Sequence, residues 1–444
     1  MLLLRIIVGL LAVIAANLSL AQESEAPISW VGMEPGQSQT VPLSQESEEA
    51  RSTRLQWWRE ARFGMFIHWS PICLKETEIG WSRDNGVSRQ VYDQLYRDFD
   101  PASFDAEAIV NIAKSAGMKY LVFTTKHHDG FCMYDTKEHE YSIMHSPYGK
   151  DICKELAVAC KKHDLKFCTY YSVTDWYHPL HPLDSPSGKA VKPTGDINKY
   201  EELVQRQVSE LVKNYGPLGI MWYDYPQGFS LEKGRRLYDF TRSLQPDIIV
   251  NDRTGAGGDY HTPEQRLGKF NTTQPWESCI TLGQQWSWRR NDTPKSGKHC
   301  LHSLLRCAAG DGNLLLNVAP SPLGEIDAQH VKILQEVGAW LKQYGESVYG
   351  TRGGPLPPNE EWITTYKNST LYIHVLDDRT REIRLPSIDS SLLNSRFLTG
   401  NSGTISKKGK DIRIHLGEDQ ENKPSTLIRL EFDRPVVEAF AKAL

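Results

Sequence analysis

Three groups of residues in this chain have the types and spacing to do chemistry. Asp224 ends the apolar run Ile220-Met221-Trp222-Tyr223-Asp224, where an acid has no structural use unless it is paired. Glu264 lies in His261-Thr262-Pro263-Glu264 and Glu277 in Pro275-Trp276-Glu277, while His68, His127 and His128 supply imidazoles and Trp81 and Trp222 flat apolar faces. Cleavage of a glycosidic bond needs two carboxyl groups, one ionised and one protonated. Imidazoles hydrogen-bond hydroxyls and aromatic faces cover C–H surfaces, so the set describes a sugar site better than a phosphate, nucleotide or lipid site. Asp224 reads as the ionised nucleophile, with a buried salt bridge to an arginine such as Arg253 as the structural alternative. Glu264 and Glu277 compete for the role of proton donor. Desolvation by the neighbouring Trp276 would raise the pKa of Glu277, whereas Glu264 stands in a polar loop free to reach a leaving group.

Metal catalysis is not expected. His127 and His128 are adjacent, so along a strand they would point in opposite directions, and the chain has no His-x-His or His-Glu-x-x-His of the kind zinc hydrolases use. No glycine-rich dinucleotide fingerprint follows any strand, and no cofactor is expected. The eight cysteines (73, 132, 153, 160, 168, 279, 300 and 307) include no Cys-x-x-Cys. Cys160, on a helix face, and Cys168, in an apolar run, read as small buried hydrophobes.

These residues need elements to position them. Short, almost continuously apolar runs at Gly64 to Trp69, Tyr120 to Thr125, Phe167 to Tyr171, Ile220 to Tyr223, Ile248 to Asn251 and Leu314 to Val318 have the pattern of parallel strands covered on both faces. Between them lie helical stripes, among them Phe104 to Ala116, stopped at Gly117, and Leu203 to Tyr215, stopped at Gly216. The alternation predicts an α/β fold with a (β/α)8-like, TIM-type barrel over residues 45–349, whose strand ends converge on one pocket. Tyr171 and Trp222 stand at or near such ends, and Asn313 and Asn317 read as strand-end hydrogen-bonders. A helix from Asp327 to Tyr344 closes this region and Gly350 to Pro358 reads as a linker. Period-two runs at Thr370 to Val375, Glu382 to Leu385, Asp411 to Leu416 and Leu427 to Phe432 then predict a C-terminal antiparallel β-sandwich over residues 359–444.

Composition narrows the partners and the compartment. The 444 residues carry 51 Lys+Arg against 55 Asp+Glu with no basic block, which leaves no electrostatic footprint for nucleic acid or an anionic membrane. Met1 to Leu4, Arg5, an apolar run to Ala16 and Ser19-Leu20-Ala21 before Gln22 have the form of a signal peptide, residues 1–21. That predicts an exported protein, periplasmic or secreted.

Five motifs in order resemble one family: Phe63-Gly64-Met65-Phe66-Ile67-His68-Trp69, Thr125-Lys126-His127-His128-Asp129-Gly130-Phe131, Met221-Trp222-Tyr223-Asp224, Val250-Asn251-Asp252-Arg253 and Gly312-Asn313-Leu314-Leu315-Leu316-Asn317-Val318. They are similar to the family-29 glycoside hydrolases, the α-L-fucosidases, over roughly residues 45 to 440. The resemblance implies retaining hydrolysis of terminal α-L-fucose on a fucosylated oligosaccharide or glycoconjugate, with Asp224 as nucleophile. It implies sugar contacts at His68, His127, His128, Tyr171 and Trp222, with Trp81 as a further wall. Members of the family place the acid/base at a Thr-x-Glu segment or at a Trp-Glu position. This chain has both, Glu264 and Glu277, and Glu264 is placed first. Thr262-Pro263-Glu264 and Gly80-Trp81, where many members have Glu-Trp, resemble the subfamily selective for α-1,3/1,4-linked fucose. The alternatives are a glycosidase for a related sugar such as α-L-galactose and a non-catalytic fucose-binding protein.

Overall fold

The computed structural model describes residues 46–185, 191–418 and 423–441; the expected signal segment lies outside them. Strands β1 (Phe63–Ile67), β2 (Tyr120–Lys126), β3 (Lys166–Ser172), β4 (Ile220–Asp224), β5 (Ile249–Val250), β6 (Glu277–Thr281) and β7 (Asn313–Val318) form one parallel sheet in the order β5-β4-β3-β2-β1-β7-β6. The helices of ten residues or more are α1 (Glu48–Ala61), α2 (Ala106–Ser115), α3 (Ile152–Lys162), α4 (Ile197–Tyr215), α5 (Leu231–Leu244), α6 (Gly297–Ala309) and α7 (Ala328–Tyr344). All but α7 open on a Ser or Asp whose side chain accepts a first-turn N–H: Ser47, Asp105, Asp151, Asp196, Ser230 and Ser296. Each such cap is worth about 1 kcal/mol and marks where strand gives way to helix. Among the described residues no helix is long and apolar enough to cross a membrane.

The pleat sorts the strand residues into two layers. Phe66, Tyr120, Val122, Cys168, Tyr170, Ile220, Trp222, Ile249, Cys279 and Leu315 face inward and form one buried cluster with Leu55, Trp58 and Ala61 of α1. Their strand neighbours, such as Met65, Leu121, Phe123, Tyr171, Met221 and Leu316, pack outward with the helices. Helix α1 thus plugs one end of the curled sheet and leaves the other open. Gly64 makes room for this filling, since a Cβ there would fall 2.3 Å from the Tyr120 ring.

The barrel-like sheet departs from eight regular repeats between β5 and β6. No helix or strand spans residues 251–276; instead Tyr260, His261 and Glu264 make isolated parallel bridges to Asn251, Trp276 and Cys279. This segment touches both edge strands and closes the curl. Gly255, Gly257, Gly258 and Pro263 prevent it from forming a continuous ladder.

Beyond α7 the chain is antiparallel. Strands β8 (Arg352–Gly353), β9 (Trp362–Lys367), β10 (Thr370–Val375), β11 (Glu382–Leu385), β12 (Leu392–Phe397), β13 (Gly403–Lys408), β14 (Asp411–Leu416) and β15 (Thr426–Phe432) make a five-stranded sheet, β12-β15-β10-β9-β8, and a three-stranded sheet, β11-β14-β13. Alternate residues of both sheets, including Leu371, Ile373, Ile383, Ile412, Ile414 and Ile428, share one core. The Gly/Pro stretch expected as a linker contributes β8 as an edge strand. Asp311 ties it to the barrel by accepting from Arg62 at 2.6 Å and from the Gly353 N–H at 3.1 Å. All eight cysteines are buried and unpaired.

Candidate active site

Phe66, His68, Trp81, His127, His128, Tyr170, Trp222, Asp224, Tyr225, Arg253, Glu264, Cys279 and Trp286 line one pocket at the open end of the sheet. Most of them stand on inward positions at strand ends or in the segments just beyond, as expected for the C-terminal face of a barrel. Asp224 is the last residue of β4 and directly opposes Ser172 on β3. Its Oδ1 accepts from Arg253 Nη1 at 2.9 Å and from the Tyr225 N–H at 3.0 Å, and its Oδ2 from the Tyr170 hydroxyl at 2.8 Å. His128 Nε2 lies 3.7 Å from Oδ2. Burial by itself would raise the Asp224 pKa; the Arg253 charge, His128 and the hydrogen bonds outweigh it and hold the carboxyl below its ordinary value. The arginine salt bridge that was the structural alternative for Asp224 is therefore present, at the pocket itself.

Arg253 is the hub of the site. Its Nη1 also lies 2.8 Å from Glu264 Oε2, its Nε and Nη2 donate to Thr262 Oγ1 and O at 2.8 and 3.0 Å, and its guanidinium sits 4.8 Å over the Trp222 ring. Glu264, 42 % exposed at its side chain, is thus held at the rim by the cation that holds Asp224 in the interior. Glu264 is bound rather than free in a loop, and the closing segment that carries it is strapped to the end of β5.

Glu277 is elsewhere. It is the first residue of β6, paired with Asn313 at the start of β7, so it lies at the plugged end of the barrel beneath the pocket and does not line it. Trp58 and Trp222 donate their indole N–H groups to it at 3.0 and 3.3 Å, and the Tyr120 hydroxyl donates to it as well. Burial pushes its pKa up to about 7. Pro275-Trp276-Glu277 precedes a strand instead of following one, and that reversal puts the carboxyl at the wrong end.

The histidines converge. Strand β2 stops at a register shift between Thr124 and Lys126, and Lys126 turns outward to pair with buried Asp175 at 3.3 Å. His127 and His128 therefore follow the strand rather than alternate along it. Both enter the pocket with ring centroids 4.0 Å apart, which corrects the expectation of opposed directions. With Asp224 they bring three potential ligand atoms within 4.8 Å of one another. Asn317 Nδ2 donates to the Trp286 carbonyl at 2.9 Å, which leaves its Oδ1 to accept from His68 N and Nδ1 at 3.1 and 2.8 Å. His68 thus presents an unprotonated Nε2. Burial depresses all three imidazoles, His68 to about 3, His128 to about 4 and His127 well below its ordinary value, so they act as neutral hydrogen-bonding groups.

Tyr171 is a correction. Its ring faces the helices and its hydroxyl donates to Gln207 of α4 at 2.7 Å; Tyr170, one residue earlier, enters the pocket. Trp222, stacked on Tyr170 with ring centroids 5.5 Å apart, and Trp81, in edge contact with His128 and Tyr225, lie where expected. Phe66, Tyr170, Tyr225 and Trp286 also line the pocket, though none of them was among the expected sugar contacts. Strand parity would have found two of them, since Phe66 and Tyr170 stand two residues before His68 and Ser172.

The model of a family described as Alpha-L-fucosidase matches residues 33–346. Human plasma alpha-L-fucosidase is 28% identical over 339 residues, 69% of this chain and 71% of that protein, and the alpha-L-fucosidase of Dictyostelium discoideum is 26% identical over 361 residues, 72% and 77% of the two chains. Among solved structures, alpha-L-fucosidase isoenzyme 1 from Paenibacillus thiaminolyticus superposes with a TM-score of 0.79 at 31% identity over 86% of this chain and 99% of that one. The alpha-L-fucosidase from Vibrio sp. strain EJY3 gives 0.77 at 28% identity over 86% and 73%.

Proposed function

Since the chain belongs to the α-L-fucosidase family and is a glycoside hydrolase of that activity, we propose that it releases terminal α-L-fucose with retention of configuration, Asp224 serving as nucleophile and Glu264 as acid/base. The observation that carries this reading is the shared guanidinium. Asp224 Oδ1 and Glu264 Oε2 contact the same Nη1 at 2.9 and 2.8 Å, so those oxygens are no farther apart than the two contacts laid end to end. A pair of oxygens this close supports the roughly 5–5.5 Å carboxyl separation of a retaining pair.

The ionised Asp224 attacks the anomeric carbon while Glu264 gives its proton to the departing oxygen, which breaks the glycosidic bond and leaves a fucosyl ester on Asp224. Glu264, now a carboxylate, takes a proton from water; the water oxygen bonds to the same carbon and Asp224 departs. Neutral His68, His127 and His128 hold sugar hydroxyls, and Phe66, Tyr170, Trp222 and Trp286 offer apolar faces to the rest of the ring. Asp224→Asn should reduce fucose release at least a thousandfold; near-normal release would sink the assignment. Azide should rescue Glu264→Ala but not Glu277→Ala, and the reverse result would exchange their roles.

Preference for α-1,3/1,4-linked fucose is the finer part of the proposal. It is supported by Thr262-Pro263-Glu264 and by Gly80, whose φ is +70° and where a Cβ would fall 2.7 Å from His127 Nδ1, so that a side chain there would crowd the imidazole. Faster release from α-1,2- or α-1,6-linked oligosaccharides would overturn it. Export after cleavage at Ala21 is proposed on the sequence of residues 1–21, and a mature protein that does not begin at Gln22 would contradict the cleavage point.

A further inference from the structure

The carboxyl at the plugged end of the barrel has no place in the mechanism above, yet it is bonded to Trp222, which lines the pocket. Glu277 is fully buried and gathers donors from three elements: the Trp58 indole of α1 on Oε2 at 3.0 Å, the Tyr120 hydroxyl of β2 on the same oxygen, and the Trp222 indole of β4 on Oε1 at 3.3 Å. Asn313 of β7 completes the layer, donating to the Trp58 carbonyl at 2.8 Å and to the Tyr120 hydroxyl at 3.4 Å. A buried acid is expensive to keep, and this one is kept with both oxygens accepting from buried donors. Of the three donors, Trp222 is the one whose ring also faces the pocket.

The contacts run in a line from this layer to the reacting groups. Glu277 Oε1 receives the Trp222 N–H, the Trp222 ring lies 4.8 Å beneath the Arg253 guanidinium, and Arg253 Nη1 holds Asp224 and Glu264. The Trp222 indole is packed against Tyr170 and Phe66, and the bond to its Nε1 fixes the one polar point of the ring. The ring plane then sets the height and tilt at which a guanidinium can stack on it.

We propose that Glu277 is a positioning residue for the catalytic pair, acting through the Trp222 indole to set the plane on which Arg253 presents its Nη1 to both carboxylates. The inference rests on the assignment of Asp224 and Glu264 made above. It gives the Trp276-Glu277 motif a role in the reaction without contact with substrate.

A double-mutant cycle separates this role from a merely structural one. Glu277→Gln is isosteric, and Trp222→Phe keeps an aromatic face without the N–H. Glu277→Gln alone should lower kcat about tenfold or more, in keeping with the sensitivity of catalysis to small displacements of its groups, and should change KM less than threefold. In the Trp222→Phe background the same substitution should change kcat less than twofold. The acid limb of kcat/KM should also move to higher pH in Glu277→Gln, because Arg253 no longer holds Asp224 as firmly. Thermal midpoints of all four proteins report the structural share, which Trp58 and Tyr120 carry in both backgrounds. Equal losses of kcat from Glu277→Gln in both backgrounds, or an acid limb that stays where it is in the wild type, would overturn the proposal. Failure of the underlying assignment is a separate result, read from Asp224→Asn retaining activity.

Discussion

Arg253→Met removes the one cation that both proposed catalytic carboxylates share, and the size of its effect follows from where the two contacts sit. The Glu264 side chain is 42 % exposed, so water screens that end of the bridge and its loss is worth at most about 1 kcal/mol. The Asp224 end is different: the two side chains are 22 % and 15 % exposed, and removing one partner of a largely buried pair costs about 3–5 kcal/mol because the other charge is left uncompensated. Partial exposure favours the lower figure. That cost falls on the folded state; the rate suffers because both carboxylates lose the group that positions them, and kcat/KM should fall by more than about tenfold. A pH dependence comes with it. Burial pushes the Asp224 pKa up and Arg253 is the largest influence pulling it down, so without the guanidinium the carboxyl protonates at higher pH. The acid limb of kcat/KM, which reports ionisation of the nucleophile in the free enzyme, should shift upward. Arg253→Lys keeps a charge but not a fork that can reach both carboxylates and Thr262, and should recover the acid limb better than the rate. The assay is fucose released from a fucosylated oligosaccharide across the pH range, with a thermal melt to confirm folding. A folded Arg253→Met with kcat/KM within tenfold of the wild type and an unmoved acid limb would refute the reasoning.

Glu277 gives a prediction about stability. Burial raises its pKa from 4.5 to about 7, so the stability linked to its protonated form is complete below about pH 4.5 and is lost as pH rises through 7, by about 3 kcal/mol at 1.36 kcal/mol per unit. Glu277→Gln cannot ionise, so its thermal midpoint should fall less than that of the wild type between pH 4.5 and 8; a midpoint difference that stays constant over that range would contradict this. His127, His128 and Asp224 are close enough to share an ion, but the Asp224 oxygens already accept from Arg253, Tyr170 and the Tyr225 N–H. Dialysis against a chelator should therefore leave kcat/KM unchanged, and a loss of activity restored by a divalent metal would show the reverse.

Where regular strands carry the site, the sequence was readable. The run before Asp224 is apolar because β4 is covered on both faces, and an acid at its end has to face the pocket or find a partner; here it does both. Tyr171 came from the family resemblance, and two tyrosines in succession at the end of β3 look equivalent until the pleat assigns them to opposite layers. The register with β4 settles which is which, since Tyr170 opposes Trp222 and Ser172 opposes Asp224. For His127 and His128 the error was opposite in kind. The alternation rule was applied beyond the register shift that ends β2, where the buried Lys126–Asp175 pair sets the backbone's course.

The placement of Glu264 and Glu277 depended on the part of the chain that is least regular. A strand between Asn251 and Glu277 would have been visible as an apolar run, but the segment that closes the sheet has other work than pairing. Tyr260 has to pack on Trp58 in the barrel filling, with ring centroids 4.6 Å apart, and Thr262 has to offer its hydroxyl and carbonyl to Arg253. Two residues later Glu264 has to come out at the rim within reach of the same guanidinium. Tyr260, Thr262 and Glu264 are spaced by two, so extended backbone turns all three to one face, while the segment runs from Asn251 at the end of β5 past Trp276 to Cys279 on β6. Isolated bridges at Tyr260, His261 and Glu264, separated by free backbone, meet all of these demands. The polar, glycine-rich character that made the stretch look like a loop is thus a consequence of its position between β5 and β6, where closing the barrel and presenting a carboxylate are done by the same few residues.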